Sequence, residues 1–409
     1  MKLLKVDFVD EAAAKCLEYI QKQWKLETLE IPLQNAFGKI LSEDIESSVY
    51  VPDFNRSTVD GYAVISGDTH GATESIPSIL TLVETIEMGK EANSSLNSGE
   101  CAYVPTGGMI PAGCDAMVMI EYTEPFSESD IAIYSPVAYR ENITMRGEDV
   151  KEGEIVIKRG THLGAKEIGV LAAIGCSKVQ IYAPITISVF STGDEIIEPG
   201  EKCKTGQVRD INGYGISAMA QEMGMKLQRH RIIKDDEGML KSALEEASRD
   251  SKIVVLSGGS SQGAKDYSER IIHSMGAPGV FTHGLAIKPG KPTILGAAGG
   301  VWYVGLPGHP VSAMIVFDVI VGSVIRKIRN ETLKPSPYAK MKTNLASAPG
   351  KETYVLAKLS EEEGQWIAEP IHGKSGLITS LSQADGYIVV DKNCEGVRKD
   401  EIVKIRQLR

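Results

Sequence analysis

The chain has no charge-free apolar stretch of the roughly 18 residues that a membrane-spanning helix needs. The nearest, residues 310–325, carries Asp318 and reads as a buried helix. The start, Met1 to Asp7, is charged again within a few positions and is not expected to be a secretory signal. The six cysteines (Cys16, Cys101, Cys114, Cys176, Cys203 and Cys394) form no Cys-x-x-Cys pair and no zinc-finger spacing. The expectation is reduced, mostly buried thiols in a cytosolic protein. Positive charge is not in excess: 44 Lys and Arg against 54 Asp and Glu leave a net charge of −10. That argues against a broad nucleic-acid-binding face and leaves room for a local basic pocket. Internal repeats and low-complexity segments are also missing. With 409 residues, 42% hydrophobic and 24% charged, what remains is a soluble globular chain of two to four domains.

What is present is concentrated between residues 185 and 328. Four β-type runs, 185–190, 227–233, 253–256 and 301–305, each end in a loop rich in Gly, Asp, Glu or Lys, and a helix-like stretch soon follows. Strands alternating with helices predict a doubly wound, mostly parallel α/β domain, with its ligand beyond the carboxyl ends of the strands. Glycines there let a ligand approach the backbone, and acids can hold a metal. An anionic, nucleotide-like ligand with Mg²⁺ is therefore expected.

The flanking regions differ in character. Residues 8–24 have helical apolar spacing, with Asp7 as the expected N-cap. Residues 29–41 read as extended or short helical structure. Residues 46–144, rich in Val, Ile, Thr, Ser, Gly and Pro, read as an inserted β domain. Asn212 is the expected cap, and Gly224 the stop, of a helix carrying Ile216, Met219, Ala220 and Met223. Lys334-Pro335-Ser336-Pro337 looks like a linker. Beyond it, short strand-like runs suggest a small C-terminal β-barrel or sandwich.

Several motifs have both a plain and a functional reading. Asp60-Gly61 is a turn dipeptide, or an acid presented from a tight loop to a ligand on a neighbouring domain. Pro105-Thr106-Gly107-Gly108 is a turn, or a Thr hydroxyl and free N–H groups offered to an oxyanion. Asp194 and Glu195 are cap acids or metal ligands. Mg²⁺ usually takes one or two carboxylates plus phosphates and waters, so one acid here and one of Asp235, Asp236 or Asp266 would suffice. The run Ser257-Gly258-Gly259-Ser260-Ser261 lacks a Walker lysine and is not Gly-x-Gly-x-x-Gly, yet can cradle phosphate at the start of a helix. Lys288-Pro289-Gly290-Lys291 holds two cations on a stiff turn, solvated or aimed at a divalent oxyanion. Leu306-Pro307-Gly308 is expected to wall that pocket.

These motifs together resemble the molybdopterin molybdenumtransferase family, MoeA-type and related to the gephyrin E domain. The likeness spans essentially the whole chain. It rests on Ser57-Thr58-Val59-Asp60-Gly61-Tyr62-Ala63, Pro105-Thr106-Gly107, Arg146-Gly147-Glu148-Asp149, Thr192-Gly193-Asp194-Glu195, Ser257-Gly258-Gly259, Asp266-Tyr267, Lys288 to Pro292 and Leu306 to Ser312, in the family's order. The resemblance implies transfer of molybdate into adenylylated molybdopterin with release of AMP. It implies a cytoplasmic homodimer whose active cleft is shared between chains, and contact with other proteins of molybdenum cofactor synthesis. Residues 1–45 with 145–180 would form an elongated N-terminal dimerisation domain, 46–144 the β insert, 181–329 the molybdopterin-binding domain and 330–409 the barrel.

By position, Asp60, Thr106, Glu195, Asp235 and Asp266 match family residues of the cleft, as do Pro307 and Pro310. Glu195 and Asp266 would hold Mg²⁺. Ser257, Gly258, Gly259, Lys288, Lys291, Gly308, Ser375 and Ser380 would bind substrate. His309 stands where the family often has Asn, and Lys351 where it often has Arg. The alternatives were the preceding adenylyltransferase, which is little more than the α/β domain, and a scaffold. Tungstate, close to molybdate in size and charge, is not separable from it by sequence.

Overall fold

The computed structural model describes residues 6–258, 262–332, 335–373, 376 and 378–407; the side chains of residues 262–266 lie outside that description. The four expected strands are neighbours in one six-stranded sheet. Lys226–Ile233, Thr186–Thr192, Ile253–Gly258 and Val301–Leu306 run parallel in that order. Thr186–Thr192, Ile253–Gly258 and Val301–Leu306 are rich in branched and aromatic side chains and buried on both faces, as central parallel strands require, whereas the edge strand Lys226–Ile233 is polar and half-exposed. Successive residues alternate between two cores. Ile253 and Val255 join Ile187, Val189, Trp302 and Val304 on one face, while Val254 and Leu256 join Phe190 and Tyr303 on the other. Helix Asn212–Glu222 and the helical segment from Pro310 to Ile328 cover the first face. Helix Glu237–Ala247 covers the second, joined there by Gln262–Ser274.

Two further strands extend the sheet. Ile294–Ala298 pairs antiparallel with Val301–Leu306 through a tight turn at Gly299 and Gly300, both at positive φ, and Pro278–His283 pairs antiparallel with Ile294–Ala298. The sheet is therefore mixed, with only Ile294–Ala298 running against the rest.

The first helix, Val9–Gln23, is where expected but packs elsewhere. Val9, Ala12, Ala13, Cys16 and Ile20 belong to the first core of the α/β unit, not to the elongated domain. Trp24 Nε1 donates to Gly300 O at 2.7 Å, and Tyr19 Oη accepts from Gly300 N at 2.9 Å. Phe8 occupies the cap position. Asp7 is instead buried, its carboxylate taking Lys15 Nζ and Thr282 Oγ1, both at 2.6 Å. Likewise Ile211, not Asn212, caps helix Asn212–Glu222, of which Asn212 is the first residue. Gly224, at φ 69°, ends that helix as expected.

The elongated unit is built from Thr28–Pro32 paired with Lys178–Tyr182 and Ile45–Glu46 paired with Ile155–Ile157, around Leu41, Leu163, Leu171 and Ile181. The chain leaves and re-joins it at Arg56–Ser57 and Ile143–Thr144, which pair with each other. Between them lies a six-stranded β domain. At the C-terminus, Glu352–Glu362, Gln365–Pro370, Tyr338–Met341, Ile402–Arg406 and Gly386–Val390 close into a five-stranded barrel, because the last strand pairs back on the first. Ile287–Lys288, from the α/β unit, pairs parallel with Glu352–Thr353 of the barrel. Among the described residues no helix is long and apolar enough to cross a membrane. The six cysteines are free thiols.

Candidate active site at the strand ends

Three strand ends meet at a cavity of about 340 Å³, lined by Ser191, Glu195, Asp210, Asn212, Ser257, Gly258, Gly308, His309 and Pro310, among others. Gly258 sits at φ 120°, and a Cβ there would lie 2.1 Å from Thr192 O, so only glycine lets these two strands end side by side. Asn212 Nδ2 donates to both Ser257 Oγ and Gly308 O at 2.8 Å, tying the ends of two strands to the start of helix Asn212–Glu222.

A buried carboxylate anchors the wall that carries Glu195. Asp210 accepts from Ser191 Oγ at 2.7 Å and from Gly213 N at 2.8 Å, and His230 Nε2 lies 2.8 Å from its other oxygen. Its side chain is 1% exposed. Burial works against ionisation of Asp210, but the bonds from His230, Gly213 and Ser191 outweigh it and hold the carboxyl below its usual range. Conversely, the bond to Asp210 raises His230 above its ordinary value, against the opposing effect of burial and with help from the charges of Asp210 and Glu198. Tyr214 packs edge-on against His230, ring centroids 4.6 Å apart, and donates to Glu198 Oε2 at 3.0 Å. The segment from Ile196 to Arg209, whose two short strands pair parallel, is thus fastened through Glu198 and Asp210.

Acidic charge gathers beside it. Burial, then the fields of Asp194 and Glu195, push the Asp235 carboxyl above its ordinary value. No group of three or more metal-ligating side chains is arranged to hold an ion among the described residues.

A second cavity, about 780 Å³, lies between the α/β unit and the barrel, lined by Lys288, Pro289, His309, Thr353, Tyr354, His372 and Ser380, among others. Strand pairing with Glu352–Thr353 fixes Lys288 at this seam. Lys291 does not share it: neither cavity includes Lys291, whose carbonyl is held by the backbone N–H groups of Leu285 and Thr293, both at 2.9 Å. Between the two lysines, a Cβ on Gly290 would meet Val316 and Ile287, so the turn leaves no room for a side chain there.

The remaining expected site residues divide. Glu195, Ser257, Gly258, Gly308 and Pro310 line the first cavity; Lys288 and Ser380 line the second. Pro307 lines neither. Asp60 and Thr106 meet each other, Thr106 N donating to Asp60 Oδ1 at 2.8 Å, on the inserted β domain and away from both cavities. Gly259, Ser375 and the side chain of Asp266 lie outside the described residues. Sequence reasoning missed Ser191, Asp210 and His230. The available signal was polar residues inside or just after a buried strand, where apolar ones are the rule.

An α/β sheet with a ligand cavity at its strand ends, set against a closed barrel and a β insert, defines a class of protein, and the comparisons agree. Residues 188–327 match the model of a probable molybdopterin-binding domain. Residues 8–175 match the MoeA N-terminal region (domains I and II), and 338–408 the MoeA C-terminal region (domain IV). A putative molybdopterin biosynthesis protein of Methanocaldococcus jannaschii is 30% identical over 97% of this chain and 95% of its own length. A molybdopterin molybdenumtransferase of Haemophilus influenzae is 29% identical over 97% of each. The crystal structure of a molybdopterin biosynthesis MoeA protein from Pyrococcus horikoshii superposes with a TM-score of 0.83 at 30% identity, covering 98% of this chain and 99% of that one. The chain belongs to the MoeA family.

Proposed function

We propose that the protein is a molybdopterin molybdenumtransferase: it takes adenylylated molybdopterin and molybdate, releases AMP and leaves the metal on the dithiolene. The observation that carries this reading is the pair of adjoining cavities. One has backbone-exposing glycines and an acid at the strand ends, suited to a phosphate-bearing ligand. The other has Lys288 and Ser380, a cation and a hydroxyl suited to a dianion.

The residues present suit Mg²⁺ as far as they are described. Glu195 supplies a hard oxygen donor, and the fields of Asp194 and Glu195 help, after burial, to raise the Asp235 carboxyl. Glu195 would hold the ion together with phosphate oxygens and a second acid, Asp266 by the family resemblance. A bound Mg²⁺ would offset charge on the phosphate that joins AMP to the pterin. The chain itself positions and excludes: Ser257 and the Gly258 backbone present donors to the phosphate, and Asn212 fixes both loops. Lys288 holds the incoming oxyanion on the neighbouring side. Cleavage at phosphorus then depends mainly on alignment and charge stabilisation.

The reading includes a cytoplasmic homodimer, with Asp60 and Thr106 completing the cleft of the second chain. Their absence from the cavities of their own chain supports it. The test is incubation of the protein with adenylylated molybdopterin, molybdate and Mg²⁺, following AMP. Release that requires Mg²⁺ and falls at least about a hundredfold in Glu195→Gln is expected. Full activity after EDTA treatment would remove the metal from the scheme.

A further inference from the structure

His309 is the one described residue that lines both cavities. It follows the strand Val301–Leu306, and its backbone carbonyl accepts from Ala313 N at 2.9 Å, which fixes the residue at the entrance to the next helix. The ring has no hydrogen-bond partner among the described residues. A Cβ on Gly376 would stand 3.3 Å from its Cδ2, so Gly376 of the barrel domain lies against the ring and leaves little room for a larger residue there. The charged and titratable groups that line the cavities with it are Lys288, Tyr354 and His372 in the larger, and Glu195, Arg209 and Asp210 in the smaller.

An imidazole with both nitrogens protonated carries donors on opposite ring edges, whereas an amide has a donor on one side and an acceptor on the other. Two anions in adjoining cavities repel, and a donor-bearing cation between them attracts both. We propose that His309 is a catalytic residue reaching both reactants, donating one N–H to the phosphate-bearing ligand at the strand ends and the other to the oxyanion against the barrel. This inference rests on the functional reading above and adds to it the group that lets the two anions occupy neighbouring sites together.

The consequence is a coupling between the two ligands, which is reciprocal and separable from either affinity. The full-length protein in Mg²⁺ buffer is titrated calorimetrically with molybdate, with AMP, and with each in the presence of the other. The same series is run on His309→Ala and His309→Asn, after matching their urea midpoints to the parent. In the parent the two anions bind together. In His309→Ala each affinity falls several-fold, and the second anion binds about tenfold more weakly once the first is present, relative to the parent. His309→Asn recovers one of the two affinities and not the coupling. Unchanged coupling in His309→Ala overturns the inference. So does loss confined to one ligand, which would assign the ring to a single cavity, or mutual exclusion of AMP and molybdate in the parent. If the parent releases AMP from adenylylated molybdopterin, such results remove only the role of His309. If it neither binds these anions nor releases AMP, the functional reading falls with it.

Discussion

At the residue scale, the informative groups are those whose surroundings change their chemistry. Asp210 and His230 are a partly buried pair with opposite shifts, so their stability contribution depends on pH in a predictable direction. Asp210 is held below its ordinary 3.8, so its contribution is present above that pH and is lost as pH falls through the lower folded value. His230 is held above 6.5, so its contribution is present below that pH and is lost as pH rises through the higher folded value. The pair is therefore worth most between pH 3.8 and 6.5. Replacing His230 with Gln is expected to cost roughly 1–3 kcal/mol in that window, and less above it. Urea unfolding of parent and variant at several pH values checks this, and a difference that grows toward alkaline pH would contradict it. Neither Asp210 nor its partner twenty positions later was read from the sequence, since nothing in local spacing specifies which strand residue faces a given acid.

At the element scale, the decisive pieces are those shared between units. Ile287–Lys288 is a two-residue strand, yet by pairing with the barrel it sets one lysine at the seam and leaves the other outside. Lys288→Ala is expected to raise the molybdate concentration needed for half-maximal AMP release by about tenfold or more, and Lys291→Ala by distinctly less. Equal effects would restore the two-lysine clamp suggested by the sequence. The first helix is another shared element. Ile20 is 1% exposed within the α/β core. Ile20→Ala should thus destabilise that unit by about 2–4 kcal/mol, seen in the transition that also reports Trp302, buried in the same core. Were the helix part of the elongated unit alone, the Trp302 environment would unfold at its parental midpoint.

At the scale of the whole molecule, the site residues fall on two surfaces. Asp60 and Thr106 are joined on the inserted domain, while Glu195, Ser257, Lys288 and Ser380 surround the cavities. If two chains share each cleft, Asp60→Asn and Glu195→Gln damage complementary halves. Each variant alone is expected to be nearly inactive, and an equal mixture of chains, unfolded and refolded together, should regain about one quarter of the parental sites. No recovery, or a light-scattering mass equal to the single-chain 44.2 kDa, would place the whole cleft within one chain.

The sequence by itself determined the kinds of element and their order. The runs at 185–190, 227–233, 253–256 and 301–305 became adjacent parallel strands and residues 338–407 closed into a barrel; the insert, expected over 46–144, begins instead at Arg56, because Ile45–Glu46 pairs with Ile155–Ile157. The strands and the barrel follow from local periodicity, branched side chains and Gly-rich turns, all readable within a window of ten or so residues. Tertiary structure alone decided what those elements touch. It moved the first helix onto the α/β core, turned Asp7 from cap to buried anchor and joined Asp210 to His230. It also set Lys288, and not Lys291, in the wall of the larger cavity and placed His309 in the lining of both cavities. Each of these outcomes depends on residues up to hundreds of positions apart meeting in a close-packed interior. Such meetings are fixed by the fit of whole faces, and no local pattern in the chain records them.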